Sequence, residues 1–146
     1  MTRMRGARAA AVSGVFAAGA LFGVAFSKAR TDVVHVDSAR DAFKEVTPGV
    51  SKAVLWGNPD RGPYGTFTRF GPGVTNGLHT HMNDIRIVVL NGAYVFKPEK
   101  GDEIRVAAGH YIFVPAGSPH MSSGDAKDGA LFYEESMGKF DLKLVK

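Results

Sequence analysis

Gly73-Val-Thr-Asn-Gly-Leu-His79-Thr-His81 and Gly109-His-Tyr-Ile-Phe-Val-Pro115-Ala-Gly117-Ser-Pro-His120 are the two stretches that decide the fold. Side chains alternate faces along an extended chain, so His79 and His81, two residues apart, aim at one point if the first stretch is a strand. His120, arriving from a neighbouring strand, would complete a facial set of three imidazoles. Imidazole suits zinc, copper, iron and nickel.

The two stretches together resemble the paired motifs of the cupin superfamily. The first motif is Gly, five residues, His-x-His, three or four residues, Glu, six residues, Gly. Gly73, His79, His81 and Gly92 stand at that spacing. The second is Gly, five residues, Pro-x-Gly, two residues, His, three residues, Asn. Gly109, Pro115, Gly117 and His120 match it, while Gly124 replaces the Asn. The resemblance spans residues 73 to 124. It implies an all-β fold, a single double-stranded β-helix (jelly-roll) barrel over residues 51–146, a metal ion on His79, His81 and His120, and a homodimer.

One departure bears on chemistry. The motif Glu should fall at position 85 or 86, which hold Ile85 and Arg86. Ile85 shares strand parity with the histidines and is expected to face the site as an apolar wall. Arg86 is a permanent cation and cannot ligate a metal. Asp84 has the opposite parity and would need a bulge to turn inward. The expected centre is therefore three histidines with open coordination positions, Asp84 being an outside candidate.

The first 29 residues are a different material. Arg3, Arg5 and Arg8 precede Ala9 to Phe26, an apolar run of Ala, Gly, Val, Phe and Leu with one Ser. A basic segment followed by an apolar one is the pattern of an export signal, with Ser27-Lys28-Ala29 as a small-residue cleavage site. An uncleaved anchor is the alternative, because eighteen residues lies at the low end of a membrane span. The expectation is a signal over 1–29, an extension over 30–50, and a periplasmic or secreted barrel that touches membrane only if the signal is retained.

Four of the 18 basic residues lie in that segment and all 14 acidic ones lie beyond it, so the formal charge of +4 belongs entirely to the signal. The remainder is balanced, with no basic cluster to suggest a nucleic-acid partner. The chain has no cysteine, which excludes disulfides, thiolate ligands and cysteine nucleophiles.

Beyond the signal, Val33–Val36 is expected as a short strand and Ser38 to Val46 as a capped turn of helix ended by Thr47-Pro48-Gly49. Short β-prone runs then alternate with Gly, Pro, Asn and Asp turns. They are Lys52–Trp56, Gly65–Phe70, Ile85–Leu90, Ala93–Phe96, Glu103–Ala107, Tyr111–Val114, Ala130–Glu134 and Phe140–Val145. Asn91-Gly92 between two apolar runs predicts a type I′ hairpin.

Other side chains carry weaker signals. Arg69, Arg86 and Arg105 could clamp an anion, though solvated outer-face charges are the commoner role for such residues. Tyr94, Tyr111, Tyr133, Phe96, Phe113 and Phe132 are expected to pack, with one or two lining the pocket. Trp56, Asn58, Pro59, Gly62 and Pro63 suggest a lid or packing anchor. By alternation only one of Glu134 and Glu135 can face inward. His110 lacks a ligand-type spacing, and His35 is expected at the surface.

Three neutral imidazoles leave the full charge of a divalent metal uncompensated, with positions for a chelating anion and for dioxygen or water. Three-histidine iron sites among cupins look like those of diketone-cleaving and thiol dioxygenases. The resemblance thus implies Fe(II), or Zn, Mn, Ni or Cu, and a small anionic substrate for a dioxygenase-type enzyme. Two readings stand beside it: a metal-dependent isomerase or lyase of a sugar or small acid, and a non-catalytic metal- or ligand-binding domain. The isomerase or lyase reading predicts an inward Glu or Tyr near the metal.

Overall fold

The computed structural model describes residues 33–39 and 43–146; the segment 1–29 lies outside the described residues. Among the described residues ten strands run in chain order: β1 (Lys44–Thr47), β2 (Val50–Gly57), β3 (Tyr64–Phe70), β4 (Thr75–Thr80), β5 (Ile85–Pro98), β6 (Ile104–Ala107), β7 (Tyr111–Val114), β8 (His120–Gly124), β9 (Ala130–Ser136) and β10 (Lys143–Leu144). Every pairing is antiparallel, in the order β1-β2-β3-β9-β5-β8-β4-β10, with β6 and β7 on β5. The sheet curls into the expected jelly-roll barrel.

The longest strand makes the corner. β5 pairs with β9 and β7 through its first half, then with β8 and β6 through its second. Asn91-Gly92 lies inside this strand rather than in a hairpin. A type I′ turn needs positive φ at both central residues, and among the described residues only glycines adopt it. Here the register shifts between Val89 and Asn91, and Gly92 takes φ 66°. A Cβ at Gly92 would strike the Gly129 carbonyl oxygen, so the corner requires glycine.

Two expectations near the start fail. Of the turn of helix expected over Ser38 to Val46, residues 40–42 lie outside the described residues, and Lys44 to Val46 belong to strand β1. β-branched Val46 and Thr47 lose side-chain freedom in a helix, and Pro48-Gly49 turns the chain so that Lys44 pairs with Lys52. Glu45 accepts the Gly49 N–H at 2.9 Å across this turn. The sheet thus begins inside the stretch set apart as an extension. Val33–Val36 belongs to no strand, with Val33 96% exposed and without a surface to bury against. Phe140–Val145 shrinks to the two-residue β10.

Strict alternation builds the interior. β3 turns Tyr64, Thr66, Thr68 and Phe70 inward, and β9 does the same with Ala130, Phe132, Glu134 and Ser136. Phe70, Tyr94 and Phe132 meet at centroid separations of 5.1–6.0 Å, and Ile85, Ile87 and Val89 pack against this group. Gly124, in place of the motif Asn, has a backbone reason. A Cβ there would lie 2.9 Å from the Gly71 oxygen and 3.2 Å from the Gly129 Cα. Trp56 donates to the Tyr133 hydroxyl at 3.0 Å and lies against Gly65, which makes it a packing anchor.

Candidate metal centre

Register brings the motif histidines together. β4 and β8 are neighbours, and His79 stands directly opposite His120. The β4–β8 ladder is irregular between Asn76 and His79. His81 follows just after β4, and its backbone oxygen accepts the Gly117 N–H at 2.8 Å, which ties the first motif to the Pro-x-Gly loop of the second. All three rings are buried, and the ligand atom that each offers lies within 4.8 Å of the other two.

Each imidazole is held through Nδ1. His79 Nδ1 bonds the Gly77 oxygen at 2.6 Å, His120 Nδ1 the Ser118 oxygen at 2.9 Å, and His81 Nδ1 the Asp141 oxygen at 2.5 Å. A carbonyl can only accept, so each ring carries its proton on Nδ1 and leaves the Nε2 lone pair free. That is the outer-shell arrangement that orients metal-binding histidines. Burial holds His79 down to about 4, helped by the neighbouring His120 and His81, against the opposing Gly77 bond. Burial and His81 lower His120 as well. Both rings are therefore neutral near pH 7, the form that binds metal.

His120 Nε2 is buried without a hydrogen-bond partner among the described residues. An unsatisfied buried nitrogen costs about 1–3 kcal/mol, and metal ligation would remove that cost. Phe96 stacks on the His120 ring at 4.9 Å and fixes its plane. Orphaned nitrogen, fixed tautomers and an all-imidazole donor set together fit a divalent transition metal.

His79 and His81 line a cavity of about 270 Å³ together with Ile85, Ile87, Tyr94, Phe132, Phe140 and Leu142. Ile85 is the apolar wall expected in place of the motif Glu. The cavity also holds two charges. Glu134, 5% exposed, accepts from Lys52 Nζ at 2.9 Å, Tyr64 Oη at 2.6 Å and Thr68 Oγ1 at 3.4 Å. Burial alone would raise its carboxyl, but Lys52 and the Tyr64 bond outweigh burial and hold it below the usual range. Burial and Glu134 in turn push the Tyr64 hydroxyl far up. Lys52 Nζ also sits 3.9 Å from the Phe140 ring centroid.

The remaining candidates lie elsewhere. Asp84 accepts the Ala116 N–H at 2.9 Å, so it staples a loop and does not swing in. Glu135 faces out and accepts from Tyr133 at 2.7 Å. None of the three arginines lines the cavity: Arg69 bonds the Ser38 oxygen, Arg86 lies over Phe113 and exposed Arg105 pairs with Asp125. Lys52 is the cation that sequence reasoning missed. Alternation from Ala53 and Val50, both apolar, gave it no distinguishing signal; only its ion pair to Glu134 brings it inside. His35 and His110 are exposed.

Barrel and cluster together define a cupin whose histidines could hold one metal ion. The chain belongs to the ChrR cupin-like domain family, whose model matches residues 31–138. No curated protein matches the chain, so fold comparison carries the rest. The solved structure of KdgF from Halomonas sp. is similar at 21% identity and TM-score 0.59, over 73% of this chain and 94% of that one. The polyketide cyclase RemF from Streptomyces resistomycificus is similar at 21% identity and TM-score 0.65, over 79% of this chain and 87% of that one. The DMSP lyase DddQ from Ruegeria pomeroyi is similar at 16% identity and TM-score 0.59, over 71% and 60%. At these identities the likeness is one of fold.

Proposed function

We propose that this domain is a mononuclear metal-dependent enzyme that polarises a small anionic substrate and moves a proton on it, in the manner of an isomerase, lyase or cyclase. The observation that carries the reading is Glu134, an inward carboxylate lining the same cavity as His79 and His81. A metal on the three imidazoles would supply Lewis-acid polarisation of a substrate oxygen. The chain supplies the rest. Lys52 and Glu134 cancel in charge, so the metal's charge is what an anionic substrate would balance. Tyr64, Glu134 and Lys52 form a hydrogen-bonded line of donors and acceptors along which a proton can be handed on. Ile85, Ile87, Phe132 and Leu142 exclude water and strengthen these interactions. At about 270 Å³ the cavity sits just below the roughly 300–1,000 Å³ of drug-sized sites, which points to a small substrate. A cyclase and a lyase among the proteins of similar fold support this class.

A second reading is the dioxygenase. It is favoured by a donor set with no carboxylate, which leaves room for a chelating enolate and oxygen. Turnover of β-dicarbonyl, hydroxy-acid and uronate panels with and without oxygen separates the two. The proton-transfer reading expects unchanged anaerobic rates and loss of turnover in Glu134→Gln. Stoichiometric oxygen uptake would overturn it in favour of the dioxygenase.

Export to the periplasm or beyond belongs to the proposal too, on the strength of the arginine-led apolar run before Ala29. So does a homodimer, which the exposed apolar Val88, Leu90, Tyr111 and Phe113 on β5 and β7 support.

A further inference from the structure

The three histidines are not held alike. His79 and His120 each bond a carbonyl two residues back, supplied by their own chain segment. The acceptor for His81 lies 60 residues away, on the segment that follows β9. That segment crosses the β4 edge of the site. Phe140 N–H donates to the Pro59 oxygen at 2.7 Å, the Asn83 amide to the Lys139 oxygen at 3.1 Å, and Val145 N–H to the Leu78 oxygen at 2.9 Å. β10 lies against β4, with Leu144 opposite His79. Asp141, in the middle, grips the site twice: its backbone oxygen bonds His81, and its carboxylate accepts the Met82 N–H at 2.8 Å.

The family model matches residues 31–138, so the strap over 139–145 lies beyond the matched residues. Phe140 and Leu142 from the same strap line the cavity, and the Phe140 ring lies 5.8 Å from that of His81. His81 stands just beyond the end of β4; its backbone is tied to Gly117, while its ring bonds the strap.

We propose that Asp141 is the positioning residue for His81, and that the strap over 139–145 completes a site in which His79 and His120 are held from within their own segments. Asp141 is not among the residues that line the cavity. Its carboxylate pins the strap to Met82, and the pinned backbone oxygen sets the tautomer and plane of His81. The inference rests on the metal-centre reading only for its functional consequence, because the hydrogen bond itself is a property of the metal-free chain.

Asp141→Gly in the full chain removes the carboxylate and frees the backbone, while Asp141→Asn keeps an oxygen that can accept from Met82. Imidazole ¹H–¹⁵N correlation spectra of the metal-free proteins read the three Nδ1 protons one by one. The expected result is loss of the His81 Nδ1 proton in Asp141→Gly, with those of His79 and His120 retained, and a normal spectrum in Asp141→Asn. Cobalt(II) titration, followed by its visible spectrum, should show affinity about 10–100-fold weaker in Asp141→Gly and near wild type in Asp141→Asn. A His81 proton that survives in Asp141→Gly overturns the proposal, and so does a uniform loss of all three, which would make the residue merely structural. If the wild type takes up no cobalt, the metal reading falls while the imidazole spectra still decide the strap.

Discussion

Lys52→Met should turn the acid response of this barrel upside down. Glu134 is buried, and among the described residues Lys52 is its only charged hydrogen-bond partner, at 2.9 Å. Removing the cation from such a pair leaves an uncompensated carboxylate, at a cost of about 3–5 kcal/mol. Small domains hold only about 5–15 kcal/mol in total, and each kcal/mol moves the midpoint of a domain this size by roughly 3–6 °C. A fall of at least about 10 °C near pH 7.5 follows.

The sign with pH is the sharper part. In the wild type the folded pKa of Glu134 lies below its unfolded value, so this contribution is present above about 4.3 and lost as pH falls through the folded pKa. In Lys52→Met burial, the largest influence on the group, prevails and carries the folded pKa above the unfolded one. The mutant deficit then grows as pH rises from about 4.3, and shrinks in acid where Glu134 is protonated in both states. Urea melts of both metal-free proteins at about pH 5 and about pH 8 measure this difference, with the histidine contributions cancelling between them. A second change, Glu134→Gln, should recover part of the loss by removing the buried charge. A deficit under about 1 kcal/mol, or one independent of pH, would refute the ion-pair account.

Other outcomes follow from the same structure. The metal-free protein should lose stability as pH falls from about 6.5 towards 4, because His79 is neutral in the fold with a pKa held to about 4 while the unfolded ring protonates near 6.5; thermal melts across that range check it, and a bound metal should deepen the loss. Gly92→Ala should cost well over about 1 kcal/mol, since φ 66° disfavours any Cβ and the Gly129 oxygen occupies its place; a urea midpoint within error of wild type would contradict the corner argument. Phe132→Ala should cost about 3–5 kcal/mol, since that ring is 1% exposed and packs edge-on against Phe70 and Tyr94.

The fold was legible through the resemblance that the two spaced motifs carry, and the histidine triad through strand periodicity as well. Two-residue spacing puts His79 and His81 on one side, and a neighbouring strand brings His120 opposite His79. The strands that carry them were harder to see as strands. β4 (Thr-Asn-Gly-Leu-His-Thr) and β8 (His-Met-Ser-Ser-Gly) hold no Val, Ile or aromatic Phe, Tyr or Trp, and their pairing is set by the barrel. The Asn91-Gly92 hairpin failed for the converse reason, a strong local turn signal overridden by a strand that must pass from one set of partners to another. Parity allowed one inward glutamate, but which of Glu134 and Glu135 it would be depended on register with β3, where Glu134 stands opposite Thr66. The grip of Asp141 on His81 had no local signal at all, since its two halves lie 60 residues apart.

The central claim, that His79, His81 and His120 bind one metal ion, is tested most directly by elemental analysis of the protein beside a His79→Ala, His120→Ala double variant. The account predicts close to one transition-metal ion per chain in the wild type and none in the variant. Equal metal in both proteins, or none in either after reconstitution with iron, zinc, manganese, nickel and copper, would contradict it.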